Sequence, residues 1–249
     1  MEHRFTSDNL LARKLSSFTE FSAGELSALD AIWRSTRWQV AAEHDIAHEG
    51  DPTRCMRLIV RGWACRYKLL KDGRRQIVGF VLPGDICGVS VFVAERMDHS
   101  ILALTPVEYV RVTPPDIEAL TGRYPRVLRA LWWDTLVNAA IQREWAVNLG
   151  QRSAIERLAH LLSELFERLR VVGMTRGPSY ELPVSQGALA DALGMTPVHV
   201  SRTFTELKRR NLVRLQNRLL EILDRDALCE LCLFDPDYLH LNRERVVQA

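Results

Sequence analysis

The chain has 249 residues, of which 47% are hydrophobic and 26% charged, and its formal net charge is only +2. That length and apolar content suit a soluble protein with a sizeable core divided between two domains. The opening MEHRFTSDNLLARKL lacks the continuous apolar stretch of a secretory signal, and no run approaches the ~18–20 apolar residues of a membrane span. Five cysteines (Cys55, Cys65, Cys87, Cys229 and Cys232) are odd in number and irregular in spacing. With no export signal, reduced thiols in a cytoplasm are the expectation.

Taken in chain order, Asn9 to Trp33 carries helical patterning. Leu10, Leu11 and Leu15 form one stripe, and Ser22-Ala-Gly-Glu25 has the spacing of a capping box that opens a second through Leu26, Leu29 and Ile32. From about Arg37 to Val112 the helical signal is replaced by short β-branched or aromatic segments. Turns interrupt them at Glu49-Gly-Asp-Pro52, Arg61-Gly62, Lys71-Asp-Gly-Arg74 and Leu82-Pro-Gly-Asp85. Asp72-Gly73, between RYKLL and RQIVGFV, predicts a hairpin, because a tight hairpin turn needs positive φ. Turns roughly every ten residues predict an antiparallel barrel or jelly roll.

Helix returns at Pro114-Pro115, first as a short segment from Asp116 to Gly122 and then as a long one from about Pro125 to Leu149. The long segment is apolar on more than one face, through Leu128, Leu131, Trp132, Leu136, Ala139, Ala140, Ile141, Trp145 and Val147. A helix of that kind must touch more than one neighbour, and a partner subunit together with the β-domain would supply them. Asn138 and Gln142 interrupt any single heptad register. A third helix, Ser153 to Val172, is amphipathic through Ile155, Leu158, Leu161, Leu162, Leu165 and Leu169. Gly173 to Pro178 is expected as a loop. Beyond Asp226 the tail has no clear periodicity apart from an apolar patch at Leu228 to Phe234, and there are no internal repeats.

Between these parts lies VSQGALADALGMTPVHVSRTFTELKRR, from Val184 to Arg210. Ser185 is an N-cap candidate, Ala188, Leu189, Ala192 and Leu193 give one buried face, and Gly194 tolerates the positive φ of a turn. Thr196-Pro197 restarts the chain as N-cap and first helical residue. Val200, Phe204 and Leu207 then point inward, which leaves His199, Ser201, Arg202 and Thr205 on or near the outer face. This is the helix-turn-helix plan for reading a major groove. An ordinary helical hairpin is the bland alternative, and the flanking charge argues against it. From Glu181 to Arg218 there are six Lys/Arg against three Asp/Glu, a local +3 within a chain of +2. Lys208, Arg209, Arg210, Arg214 and Arg218 suit phosphate contacts. The apolar residues flanking Gln216-Asn217 suggest a β-hairpin wing over Asn211 to Asp224. The candidate DNA-contacting set is Ser185, Gln186, Thr196, Val198, His199, Ser201, Arg202, Thr205, Lys208 and Arg209.

The order of β-roll, long helix and winged helix-turn-helix resembles the Crp/Fnr family of bacterial transcription regulators, over the chain to about Asp226. The matching stretches are Glu49-Gly-Asp-Pro52, RLIVRGWACRYKLLKDGRRQIVGFVLPGDICG and LADALGMTPVHVSRTFTELKRRNLV. The resemblance implies an α+β fold in three parts. These are an N-terminal helical and antiparallel β-roll (jelly-roll type) sensor domain over residues 1–113, a linker and dimerisation helix over 114–150, and a winged helix-turn-helix with its tail over 151–249. It further implies a homodimer on double-stranded DNA with a two-fold symmetric operator, half-sites about one helical turn apart. RNA polymerase is an expected partner, with an effector sensed by the β-roll.

Departures from the family pattern shape the rest. Cyclic-nucleotide binders of the family carry a Gly-Glu shortly after the Pro-Gly-Asp turn and an Arg-Ser pair further on, for the ribose hydroxyl and the cyclic phosphate. Here Gly88-Val89 and His99-Ser100 occupy those places. Valine cannot accept a hydrogen bond and histidine is at most a partial cation near neutral pH, so cyclic AMP is not the expected effector. The pocket of other members would be lined here by Gly84, Asp85, Cys87, Gly88, Val89, His99 and Ser100, with Arg74 and Arg75 nearby. The N-terminal cysteine cluster of iron–sulfur members is absent from the sequence, and no cofactor is expected. Cys65 and Cys87, both within the roll, leave thiol redox sensing as an alternative. In the recognition helix, Ser201-Arg202 matches the family, while Pro197 and Val198 stand where an Arg and a Glu are usual. An operator distinct from the family's usual half-sites follows, with Arg202 reaching guanine or phosphate. A metal-dependent cupin enzyme is the other alternative. His44 and His48, evenly spaced on a candidate strand beside Glu49, and the later His99 do not match the His-x-His spacing it needs, so neither a metal site nor a catalytic residue is expected.

Overall fold

The structure is a computed structural model, in which residues 8–88 and 94–241 are described. They divide into two compact units, one holding residues 8–66, 80–88, 94–137 and 240–241, the other 67–79 and 138–239.

The first unit begins with two helices, one for each apolar stripe expected between Asn9 and Trp33. α1 (Leu10–Leu15) is capped by the Asn9 side chain, which accepts from Ala12 N at 2.9 Å. α2 (Ala23–Trp33) starts at the expected capping box, with Ser22 N donating to Glu25 at 2.7 Å. The roll follows in eight strands: β1 (Arg37–Val40), β2 (Asp45–Ala47), β3 (Met56–Arg61), β4 (Ala64–Leu69), β5 (Arg75–Val81), β6 (Ile86–Cys87), β7 (Ser100–Ala103) and β8 (Val107–Val112). They form two four-stranded sheets, ordered β1-β8-β3-β6 and β2-β7-β4-β5. The β1–β8, β3–β8, β3–β6 and β2–β7 pairs are antiparallel, as the expected jelly-roll type requires.

Along β3 and β8 buried residues fall on both faces, so that Leu58 and Val110 join one cluster while their neighbours Ile59 and Tyr109 join another. Ile59, Val81, Ile101, Val107 and Tyr109 pack between the sheets. A second cluster joins Leu11, Leu15, Leu29 and Trp33 to Met56, Leu58, Ile86 and Val110, then to α3 (Pro114–Arg123) and the start of α4 (Pro125–Gln151) through Ile117, Leu120, Val127 and Ala130. α3 opens at the expected Pro114, where Thr113 N donates to Asp116 at 3.0 Å and the capping box takes in both prolines.

α4 is 27 residues long, and its apolar surface splits. Val127, Ala130, Val137, Ala140, Ile141 and Trp145 are buried, whereas Leu128 (44% exposed), Trp132 (71%) and Leu136 (57%) stand in the open at spacings of four. Among the described residues, no helix is long and apolar enough to cross a membrane.

The second unit is built on α5 (Ala154–Val171), which opens at a capping box where Ser153 N donates to Glu156 at 2.6 Å. Around it stand α6 (Gln186–Leu193), α7 (Pro197–Arg209) and a four-stranded sheet ordered β11-β12-β10-β9. The wing is present as β11 (Val213–Gln216) and β12 (Leu219–Ile222), turning through Asn217 and Arg218 at φ of 49° and 65°. The expected loop from Gly173 is instead partly a hairpin, β9 (Thr175–Arg176) and β10 (Ser179–Glu181), turning at Gly177. It extends the wing, since Tyr180 pairs with Leu220. The tail is ordered too: α8 (Arg225–Cys232), capped by Asp224 through Ala227 N at 3.0 Å, and a 3-10 turn (Pro236–Leu239). Its helical signal is only two buried residues, Leu228 and Cys232, too few to establish a period.

Candidate nucleic-acid interface and effector loop

The helix-turn-helix forms as its caps dictate. Ser185 accepts from Ala188 N at 3.1 Å and Thr196 from His199 N at 3.2 Å, each satisfying one of the orphan donors of a helix start. Gly194 ends α6 in the left-handed region (φ 62°, ψ 42°), and an added Cβ would come within 3.4 Å of Leu149 Cδ2, so a side chain there would meet both strain and crowding. The Arg157 guanidinium binds the Leu193 carbonyl at 3.0 Å and, through Nε, the Arg152 carbonyl at 2.8 Å. That residue ties the α6–α7 turn to the α4–α5 junction and carried no sequence signal of its own.

α7 presents two faces. Val200, Thr203, Phe204 and Leu207 are buried, and Thr203 satisfies its hydroxyl by donating to the His199 carbonyl at 2.8 Å. Val198 (62% exposed), His199, Arg202, Thr205, Lys208, Arg209 and Arg210 lie outward, with Ser201 half-buried. Ser185, Gln186 and Thr196 are exposed at the starts of the two helices. Nine of the ten predicted residues are thus exposed, and Ser201 is half-buried. Among the described residues, Arg202 and Lys208 engage no protein acceptor. Arg209 and Arg210 differ. Both guanidinium groups lie on Glu206, at 2.9 and 2.8 Å, and this holds the Glu206 carboxyl down, to about 2. The i, i+3 and i, i+4 spacing of these residues was visible in the sequence and marks a helical ion-pair clamp.

The candidate effector residues are placed differently. Gly84 adopts φ 92° in a turn where Asp85 accepts from Leu82 N at 2.8 Å. Asp85 also binds Lys14 Nζ at 2.7 Å, and the same ammonium reaches Asp134 at 2.6 Å. Burial alone would lower the Lys14 pKa, but the two carboxylates outweigh it and hold it above its usual value. Cys87 is fully buried between β3 and the roll interior, and burial pushes its thiol pKa up. Cys65 is equally buried. Gly88 lies beside the Cys55 carbonyl at φ 78°. Ser100 accepts from Glu49 N at 2.9 Å, and His99 Nδ1 lies 2.6 Å from Asp98. Val89 falls outside the described residues. Arg74 and Arg75 are committed elsewhere: Arg74 pairs with Asp72, and Arg75 with Asp191 at 2.8 Å.

The strand placement expected for two histidines is corrected. His44 and His48 flank β2 rather than sharing its face, and both are exposed. His44 contacts the Ala42 carbonyl at 2.9 Å and His48 lies 3.3 Å from Asp45. Among the described residues, no three His, Cys, Asp or Glu side chains converge as metal ligands would.

Comparison with known proteins agrees with this arrangement. The family model described as "Cyclic nucleotide-binding domain" matches residues 37–124, and that of the "Crp-like helix-turn-helix domain" matches 156–231. The nitrogen fixation regulation protein FixK of Bradyrhizobium diazoefficiens is 32% identical over 208 residues, covering 83% of this chain and 85% of that protein. The transcriptional activator protein FnrL of Cereibacter sphaeroides is 29% identical, covering 78% of each. Among solved structures, FixK2 from Bradyrhizobium japonicum superimposes with a TM-score of 0.71 at 28% identity, covering 79% of this chain and 96% of that one. Sequence, fold and relatives converge, and the chain belongs to the Crp/Fnr family of transcription regulators.

Proposed function

We propose that this regulator binds a two-fold symmetric DNA site as a homodimer, and activates transcription in the cytoplasm as relatives named transcriptional activators do. The single observation that carries the DNA reading is the outward face of α7, where Arg202 and Lys208 project beside His199 and Ser201 with no protein partner among the described residues. Arg202 has the reach for guanine O6/N7, Ser201 and His199 for base edges or backbone, and Val198 for a thymine methyl. The basic residues at the end of α7 lie where phosphates pass.

The dimer reading rests on Leu128, Trp132 and Leu136. Three large apolar side chains in one exposed stripe on a long helix are what a second copy would cover. RNA polymerase is then the protein partner through which bound dimers act, and catalysis has no part in the scheme. The effector is a ligand other than a cyclic nucleotide, a reading supported by the internal bonds of Asp85 to Lys14 and of Ser100 to Glu49 N and by His99 standing where the family resemblance expects an arginine. Selection of bound duplexes from a random pool tests the proposal. An inverted repeat with half-sites about one helical turn apart is expected. A single asymmetric site, or no enrichment, would overturn it.

A further inference from the structure

The last helix carries the tail's two cysteines three residues apart, as Cys229-Glu-Leu-Cys232. At helical rise and radius, Cα atoms three residues apart are separated by about 5 Å. That lies inside the roughly 4.4–6.8 Å range a disulfide spans. The Ser163 hydroxyl on α5 acts on both thiols, favouring the thiolate of each against the larger effect of burial. Ser163 itself donates to the Ala159 carbonyl at 3.0 Å, so its oxygen is oriented to accept. Cys229 is half-buried, giving a reagent a way in, whereas Cys232 is 1% exposed and its thiol lies 3.1 Å from the Leu228 carbonyl.

The position of the pair ties it to the rest of the unit. Cys232 is the final residue of α8, and Leu233 after it leaves the helix in the left-handed region at φ 51°. Its carbonyl is one of the end carbonyls with no intrahelical donor, and Arg152 Nε fills that role at 3.1 Å. Arg152 sits between α4 and α5, binding Glu144 at 3.3 Å with its guanidinium and accepting from Arg157 Nε with its carbonyl. Arg157 in turn holds the end of α6. A chain of named bonds thus runs from Cys232 through Arg152 and Arg157 to the turn before the recognition helix.

We infer that Cys229 and Cys232 are a redox-modification site for hydroperoxides: a dithiol that closes to a disulfide and thereby loosens Arg152 at the α4–α5 junction. The Cys229 sulfur attacks a peroxide oxygen, the O–O bond breaks, and water leaves behind a sulfenic acid. The Cys232 sulfur then attacks the Cys229 sulfur, the S–O bond breaks, and a second water leaves. Two thiols and one hydrogen peroxide become one disulfide and two waters, with the peroxide reduced by the two electrons the sulfurs lose. Closure draws Cys232 Sγ from Leu228 and strains the last turn that offers its carbonyl to Arg152. Burial raises both thiol pKa values, that of Cys232 to about 12, so the dithiol reacts slowly and the closed bond is correspondingly hard to reduce.

The test uses the full chain treated with hydrogen peroxide, the remaining thiols being alkylated before tryptic cleavage. The peptide from Asp226 to Arg243 should lose two hydrogen masses and resist alkylation, while the peptides holding Cys55, Cys65 and Cys87 stay alkylated. Recovery of Cys229 only as a sulfinic or sulfonic acid, or of two alkylated cysteines, would overturn the site. The link to Arg152 rests on the DNA-binding reading and has its own readout. Oxidation should weaken binding to a selected duplex by roughly tenfold, the worth of one lost charged hydrogen bond. Cys229→Ser and Cys232→Ser proteins should bind alike with and without peroxide. Crosslinked protein that binds as tightly as reduced protein would refute the link. Reduced protein that selects no DNA at all would refute the DNA reading, and the mass measurement still decides the disulfide.

Discussion

The recognition helix and the loop that opens at Pro83 occupy the two ends of one family plan, yet they spend their polar groups in opposite ways. Along α7 the backbone is satisfied by Thr196 and by the helix itself, so Arg202, Lys208 and His199 remain outward. In the first unit, the turn residue Asp85 serves Leu82 N and Lys14, and Ser100 at the start of β7 serves Glu49 N, so these polar side chains hold the protein together. A surface built for a partner keeps its charges solvated. A surface built for stability buries them in pairs.

The sharpest way to break that comparison is to remove the cation from the loop. Lys14→Met removes the ammonium that bridges the buried carboxylates of Asp85 and Asp134, and denaturant unfolding should show a loss of about 3–5 kcal/mol. A loss below about 1 kcal/mol would mean that the loop is as solvated as the helix.

The second prediction concerns the scaffold beneath the reading end. His160 is 1% exposed, stacked on Tyr238 at 6.1 Å and against Phe234 at 5.2 Å; among the described residues neither ring nitrogen makes a hydrogen bond, and Nε2 lies 3.5 Å from the Glu144 carboxylate. Burial lowers its pKa from the usual 6.5 to about 3, with Arg152 adding to the effect. The folded state therefore resists the proton that the unfolded chain accepts. Its contribution is intact above pH 6.5 and falls by about 1.4 kcal/mol for each pH unit below that, down to the folded value. Between pH 6.5 and 4.5 the loss is roughly 3 kcal/mol. Buried Glu164, raised by burial, works in the opposite direction as it takes up a proton, so the comparison is made against a variant. His160→Phe keeps the ring packing and should unfold without that share of the acid slope. Equal slopes in both proteins would show that His160 does not titrate on unfolding.

Next in size is the exposed stripe of α4. Trp132→Asp should weaken self-association by about 2 kcal/mol or more, as for a central aromatic anchor, and leave the monomer's helical content unchanged in circular dichroism. Unaltered sedimentation would place the dimer contact elsewhere. The smallest effect falls on the Glu206 clamp. Glu206→Gln releases Arg209 and Arg210, and binding to non-selected DNA should become more salt-dependent, the logarithmic slope steepening by about one. A slope identical to that of the parent protein would mean that both guanidinium groups already leave Glu206 for phosphate.

Much of the reading end was legible because its signals are local. Caps, the Gly194 turn and the spacing of Val200, Phe204 and Leu207 act within a few residues, and α6, α7 and the wing form where these signals lie. The hairpin at Asp72-Gly73 follows for the same reason, with Gly73 at φ 88°. Two segments escaped. β9 and β10 hold five residues in all and gain their pairing from β12, far along the chain. α8 is held by α5 through contacts such as Arg225 on buried Glu167 at 2.7 Å, a pairing that no local pattern announces. The long-range bonds of the candidate effector residues carried no sequence signal. Lys14 lies 71 residues from Asp85, and only folding shows that the turn aspartate is already engaged.

The central claim is that the outward face of α7 reads bases. It is tested most directly by repeating the DNA selection with Arg202→Ala protein on the same random pool. The account predicts an inverted repeat that has lost its preference at one base pair in each half-site, a discrimination of about 1–3 kcal/mol, with the protein's melting unchanged. Recovery of the parent site at every position would contradict it.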